Sequence, residues 1–190
     1  MKYFKHIIIF IFINFLTLNS FANEFVGIIG AGVGEVKNQN NQKLENGSKI
    51  FYGDTIIVGS KSTAQVLFLD QTVMTLGEDS ELTIDEFVYD PQTNDGKFVS
   101  NIKSGTIKII TGKISKKDPD NLEIKIPTGA IGARGTEFVV LANSKNENTV
   151  LLLGPGPNNS LGMTPGNLEV TDGVNSVSII QPGFETVVTN

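Results

Sequence analysis

No cysteine occurs in the 190 residues, histidine occurs once, at His6, and arginine once, at Arg134. Each scarcity removes a class of chemistry. Without thiols the chain has no disulfide to staple a small core, no Cys-His dyad and no cysteine-bearing zinc site. The single histidine lies in the first stretch, MKYFKHIIIFIFINFLTLNSFA. That stretch has Lys2 and Lys5, an apolar run from Ile7 to Leu18, then Ser20 and Ala22 at the −3 and −1 positions of a cleavage site. The run is too short for an easy bilayer span, and Asn14 and Thr17 dilute it. The expectation is a secretory signal over residues 1–22, cleaved after Ala22, with an uncleaved membrane anchor as the alternative. Cleavage would remove His6, leaving no imidazole for a Ser-His-Asp triad.

Basic runs are missing as well. Losing Lys2 and Lys5, with no acid lost, moves the formal net charge from −5 to −7. Such a surface has nothing to replace phosphate counterions, which argues against nucleic acid or anionic lipid as partner. No stable membrane span is expected after cleavage, so the mature protein is expected in the periplasm or secreted. No cofactor, metal or catalytic set is assigned.

What is present is a series of short β-branched and alternating runs separated by Gly, Asn and Asp, with no helical period. KIFYGDTIIVG reads as strand, Gly53-Asp54 turn, strand. TAQVLFLDQTVMTLG reads as a hairpin turning at Asp70-Gln71. ELTIDEFVYD changes face near Asp85, and KFVSNIKSGTIKIITGKI reads as two strands broken at Ser104-Gly105. LEIKIP, TEFVVLA, NTVLLL and LEVTDGVNSVSIIQPG follow, the last turning at Asp172-Gly173. The fold class predicted is all-β, with two packed, mainly antiparallel sheets in a sandwich or solenoid-like stack and almost no helix. Val66–Leu69, Phe138–Leu141 and Val150–Leu153 are apolar on both parities, and so are expected to be central and covered on both faces. The organisation expected is one domain over 23–190, with a core at about 50–142 and a C-terminal strand extension at 148–190. The loop Gly154–Gly166 interrupts that extension, and Gly154, Pro155, Asn158 and Asn159 are its candidate contact residues.

The stretch TGAIGARGTEFVV sets Gly129, Gly132 and Gly135 three apart around the lone arginine. A phosphate loop would need a helix to follow, and Thr136-Glu137-Phe138 are strand formers. The spacing is read as conformational: glycines permit positive φ and close backbone approach. Arg134 is expected to clip the crossing from a buried or half-buried position, bonded to backbone carbonyls and a carboxylate such as Glu137 or one from a neighbouring turn, with contact to an outside ligand as the alternative. The acid-rich loops at Asp90–Gly96 and Asp118–Glu123 fit either calcium ligation or Asx-turns at hairpin tips. Nothing in the spacing of the acids selects a pair for polysaccharide hydrolysis.

These motifs, in order, carry a resemblance. IKIPTGAIGARGTEFVV resembles the hallmark of the FecR domain family, and the YGDTIIVG, DQT and SGTIKIITGKI segments resemble the strand series before it. The resemblance marks Gly129, Ile131, Gly132, Arg134, Gly135, Thr136, Glu137 and Phe138 as the family motif. Two positions depart from it: Pro127-Thr128 inverts the usual order, and Gln71 stands where a turn glycine is common. The family includes membrane-spanning regulators that act on a sigma factor. With only a signal before the domain, this chain is similar to its standalone exported members. Together with the export signal and the lack of histidine and cysteine after it, the resemblance gives the expectation of a non-catalytic exported module that binds an envelope protein or surface ligand. An accessory of cell-surface signalling is the second reading and a carboxylate-based polysaccharide hydrolase the third.

Overall fold

The computed structural model describes residues 24–143, 147–158 and 165–189. The signal expected over 1–22 and the candidate contact Asn159 lie outside the described residues. The first half of the chain forms β1 (Phe25–Val33), β2 (Val36–Asn38), β3 (Lys49–Phe51), β4 (Thr55–Val58), β5 (Thr63–Phe68), β6 (Val73–Leu76) and β7 (Glu81–Tyr89). A long strand, β8 (Gly96–Ile110), leads to one short helix, α1 (Lys113–Lys117), and a 3-10 turn, Pro119–Asn121. The second half forms β9 (Leu122–Ile126), β10 (Gly129–Arg134), β11 (Glu137–Asn143), β12 (Glu147–Gly154), β13 (Asn167–Thr171), β14 (Ser176–Ile179) and β15 (Glu185–Thr189).

Hydrogen bonding arranges these strands in two ladders that share β8. One ladder runs β3-β1-β5-β6-β8-β11-β12-β15 and the other β2-β4-β7-β8-β9-β10-β13-β14. Residues 96–104 of β8 serve the second ladder, and its last six residues, starting at Gly105, serve the first. The all-β expectation holds, but β8 joins the ladders into one mixed array. The expected break at Ser104-Gly105 is instead a change of partners within a continuous strand, made where Gly105 turns through φ +94°. Pairing is antiparallel except between β8 and β9, where Phe98 to Asn101 run parallel to Leu122 to Lys125. The face change near Asp85 is a bulge, with the register slipping between Ile84 and Glu86.

Each ladder turns one face inward, and both faces feed a single core. Phe68 of β5 lies 4.7 Å, centroid to centroid, from Phe98 of β8, which in turn meets Phe87 of β7 edge-on at 5.1 Å. Each such side chain contributes roughly 1.5–3 kcal/mol on burial. The runs apolar on both parities are not covered on both faces. Leu69, Leu141 and Leu153 are 46%, 45% and 40% exposed, while Val66, Val140 and Leu152 are fully buried. Strand alternation wins over composition here, because the pleat sends every second side chain outward whatever its polarity.

Candidate functional site

The glycine-arginine stretch sits where the chain passes from one ladder to the other. β9 and β10 form a hairpin across the two-residue turn Pro127-Thr128, with Gly129 opposite Ile126 and Ile131 opposite Ile124. The other side of β10 pairs with β13, from Ala130 opposite Thr171 to Arg134 opposite Asn167. Gly135, at φ +54°, then redirects the backbone so that β11 joins β8 and β12 in the first ladder. The expectation of a glycine-permitted crossing into a buried strand is met, and Ile131 and Phe138 anchor it from fully buried positions.

The glycines are not equivalent. A Cβ on Gly129 would stand 1.9 Å from the carbonyl oxygen of Thr171, so β13 can lie there only against glycine. Gly135 is required for its left-handed φ. Gly132 has room, since a Cβ there would meet nothing closer than 3.9 Å.

Arg134 is not the clip. β10 buries Ile131 and Ala133, so its parity sends Arg134 to the exposed face. Glu137 pairs instead with Lys108 at 2.6 Å, and among the described residues no partner is bonded to the guanidinium. Hydroxyls do the clipping. The Thr136 N–H donates to Thr111 Oγ1 at 2.9 Å, and the Thr111 N–H returns a bond to the Thr136 carbonyl at 3.0 Å. The Thr136 hydroxyl donates to the Gly154 carbonyl at 2.8 Å, and Ser115 of α1 donates to the Ala133 carbonyl. One turn back, Thr128 bonds the Val188 carbonyl at 3.0 Å and accepts from the buried Asn148 amide, tying the hairpin to β15 and β12. Thr111, Ser115 and Asn148 were absent from the sequence expectation. Thr111 shows only as a hydroxyl at the end of an apolar run, and Ser115 and Asn148 stand among charged and polar neighbours that give no signal.

The long loop is pinned at its base by the same groups. Gly154 and Pro155 are half-buried, and Gly166 donates to the Pro155 carbonyl at 2.8 Å. Asn158 is exposed. Of the candidate contacts in this loop, then, Gly154 and Pro155 hold the structure, and Asn158 is available to a partner.

Asp70, at the turn between β5 and β6, is fully buried. It accepts from the Thr72 N–H at 2.9 Å and the Thr72 hydroxyl at 2.8 Å, and burial pushes its carboxyl above the usual range. Gln71 beside it adopts φ +72°, a left-handed conformation that glycine takes at lower cost. The two acid loops are built as Asx-turns: Asp90 accepts from Gln92 and Thr93, and Asp118 from Asp120 and Asn121. Among the described residues no three acidic side chains converge as a metal site would require. A shallow cleft beside Glu24, Tyr52 and Phe87 holds Asp85 and Glu86, but Lys125 engages Asp85 at 3.2 Å and Lys97 engages Glu86 at 2.9 Å. Neither carboxylate is the free partner that glycoside hydrolysis needs.

Comparison with known proteins agrees with this architecture. No curated protein matches the chain. Two crystal structures of a candidate anti-sigma factor from Parabacteroides distasonis ATCC 8503 share the fold, with a TM-score of 0.53 at 16% identity over 72% of this chain. The chain spans 55% of their length. The sequence pattern described as FecR protein matches residues 54–154, from the buried Asp54 turn through the crossing to the Gly154 carbonyl that caps it. That is more than half of the 190 residues, and the chain belongs to the FecR protein family.

Proposed function

We propose that the chain is a non-catalytic, exported FecR-domain module that binds another protein of the cell envelope. The observation that carries this reading is the distribution of apolar surface. Five of the twelve strongly exposed large apolar side chains among the described residues fall between Val174 and Val187, beyond the end of the family match at residue 154. Val177, Ile180 and Phe184 of this group line one surface depression, and contiguous apolar exposure marks interaction surfaces. The N-terminal charge and apolar pattern supports export.

A second reading makes the module an accessory of cell-surface signalling. It is supported by membership of the FecR family and by the fold shared with a candidate anti-sigma factor. Both readings are tested by in-cell cross-linking of the tagged full chain, followed by identification of what is captured from the envelope. A reproducible envelope protein is expected for the first reading, and a receptor or membrane regulator for the second. Recovery of the chain alone would overturn both.

A further inference from the structure

The two ladders end at β14 and β15, and these ends are built differently from the opposite ends at β2 and β3. β14 pairs with β13 alone among the described strands, over Leu168–Ile179 to Thr171–Ser176. Its sequence, Ser176-Val177-Ser178-Ile179, is short but carries no charge, no proline and no bulge to blunt the edge. The hairpin tip fixes which groups are free. The Asp172 N–H bonds the Asn175 carbonyl at 3.2 Å, so the antiparallel alternation turns the backbone of Val177 and Ile179 toward β13. The N–H and C=O of Ser176 and Ser178 therefore point outward, as a template for one more strand.

Beside this edge lies an open depression of about 190 Å³, lined by the apolar Val177, Ile179, Ile180 and Phe184 together with Ser178, Gln181 and Glu185. An apolar cavity of about 150 Å³ is enough to take a benzene ring. Val177, Ile180 and Phe184 are 48%, 50% and 61% exposed, and they leave an apolar mouth for a bulky side chain from an added strand.

Charge selects the occupant. From Glu147 to the C-terminus the sequence has four acids, Glu147, Glu169, Asp172 and Glu185, and no lysine or arginine. The nearest cation by register is Arg134, opposite Asn167 and two strands in from β14. A second copy of this chain would bring the same acids to the same edge, which like-charge repulsion opposes. We infer that β14 receives an extended segment of another protein, apolar at alternate positions and flanked by lysine or arginine, with one bulky apolar side chain seated in the depression. This rests on the protein-binding reading above and specifies its surface.

The test uses the full chain and a fluorescein-labelled peptide, Lys-Val-Thr-Phe-Thr-Val-Lys, read by anisotropy. Binding is expected to weaken at least tenfold when glutamates replace the lysines. Ser178→Pro should abolish it, because proline removes an outward N–H while the β13-facing bonds remain. Phe184→Ala should weaken it several-fold. Circular dichroism and thermal unfolding of both variants establish that the fold is kept. Equal binding to Ser178→Pro, equal binding of the glutamate peptide, or no binding of the lysine peptide would overturn the proposal. So would a wild-type dimer in sedimentation that Ser178→Pro dissociates, since the occupant would then be a second copy. Envelope cross-linking separates the two levels. If Ser178→Pro captures the same protein as wild type, the edge assignment fails and the binding reading stands. If wild type captures nothing, the binding reading itself fails.

Discussion

The two ends of the strand array, related through β8, differ in how their backbones are closed. On the N-terminal side β2 is three residues long, and its outer edge is already occupied: the Leu44 N–H bonds the Val36 carbonyl at 2.8 Å and Lys37 bridges Lys43. β3 is equally short and carries Lys49 over the Phe25 ring at 5.7 Å. On the C-terminal side β14 and β15 are longer, lack lysine, and leave apolar side chains in water. Lysine and brevity are devices against unwanted pairing. The lack of lysine and of a covering segment on one side separates a sealed half from an open half, and the open half lies largely past the family pattern.

The comparison can be broken most forcefully at Gly129. A methyl group there collides with the Thr171 carbonyl, so Gly129→Ala should push β13 off β10 and cost about 3 kcal/mol or more. If the halves are separable, hydrogen exchange will speed up in β13 and β14 while β4 to β7 stay protected. Uniform acceleration across both halves would show instead that the array opens as one unit.

Two acids, one in each half, sharpen the comparison through opposite pH dependence. Asp70 is buried in the sealed half with its carboxyl raised, chiefly by desolvation. Its folded state binds the proton more tightly than the unfolded state. The associated stability is therefore complete below the ordinary aspartate value of about 3.9 and is lost as pH rises through the raised value. Asp172, exposed at the tip of the open half, is lowered to about 2, first by the Asn175 backbone and side-chain bonds and then by the Val174 N–H. Its stability is present above about pH 3.9 and is lost as pH falls toward 2. In thermal unfolding against pH, Asp70→Asn should remove the decline that begins above about pH 4, and Asp172→Asn only the acid limb. Asp70→Ala, which strands the Thr72 donors, should cost about 1–3 kcal/mol. The assignment of Asp70 fails if its variants leave the pH profile unchanged.

At Gln71 the expected change is smaller and favourable. A side chain at φ +72° costs about 1–2 kcal/mol, and glycine returns part of that as chain entropy. Gln71→Gly should raise the melting temperature by about 1–3 °C. A loss of stability would mean that Gln71 contributes a contact worth more than its backbone strain.

How much of this was legible in the sequence depends on the range of the interaction. The hairpin at Asp70-Gln71, the bulge at Asp85 and the turn at Asp172-Gly173 are set by neighbouring residues, and each falls where the residues indicated. The motif Gly129 to Phe138 was legible as a crossing for the same reason. The continuity of β8 was not, because Gly105 reads as a break until two different sets of partner strands hold its flanks. The outward leucines at 69, 141 and 153 misled because composition does not report which face has a neighbour. The hydroxyl clip was hidden for a similar reason: Thr111, Ser115 and Thr136 meet only after β8, α1 and β11 have come together.

The smallest effect carries the sharpest correction. A lone arginine among glycines suggested a bidentate clip, and on that view Arg134→Lys would destabilise the fold, since one ammonium cannot replace a planar fork. The side chain is exposed, and Glu137 is committed to Lys108. The substitution should therefore cost less than about 0.5 kcal/mol and leave the melting temperature within about 2 °C of wild type. A fall of more than about 4 °C would restore the clip. An unchanged fold that no longer captures its envelope partner would make Arg134 a contact residue. In that event the open half would extend two strands inward, from the β14 edge to the end of β10, and a carboxylate on the partner would be the group to seek opposite it.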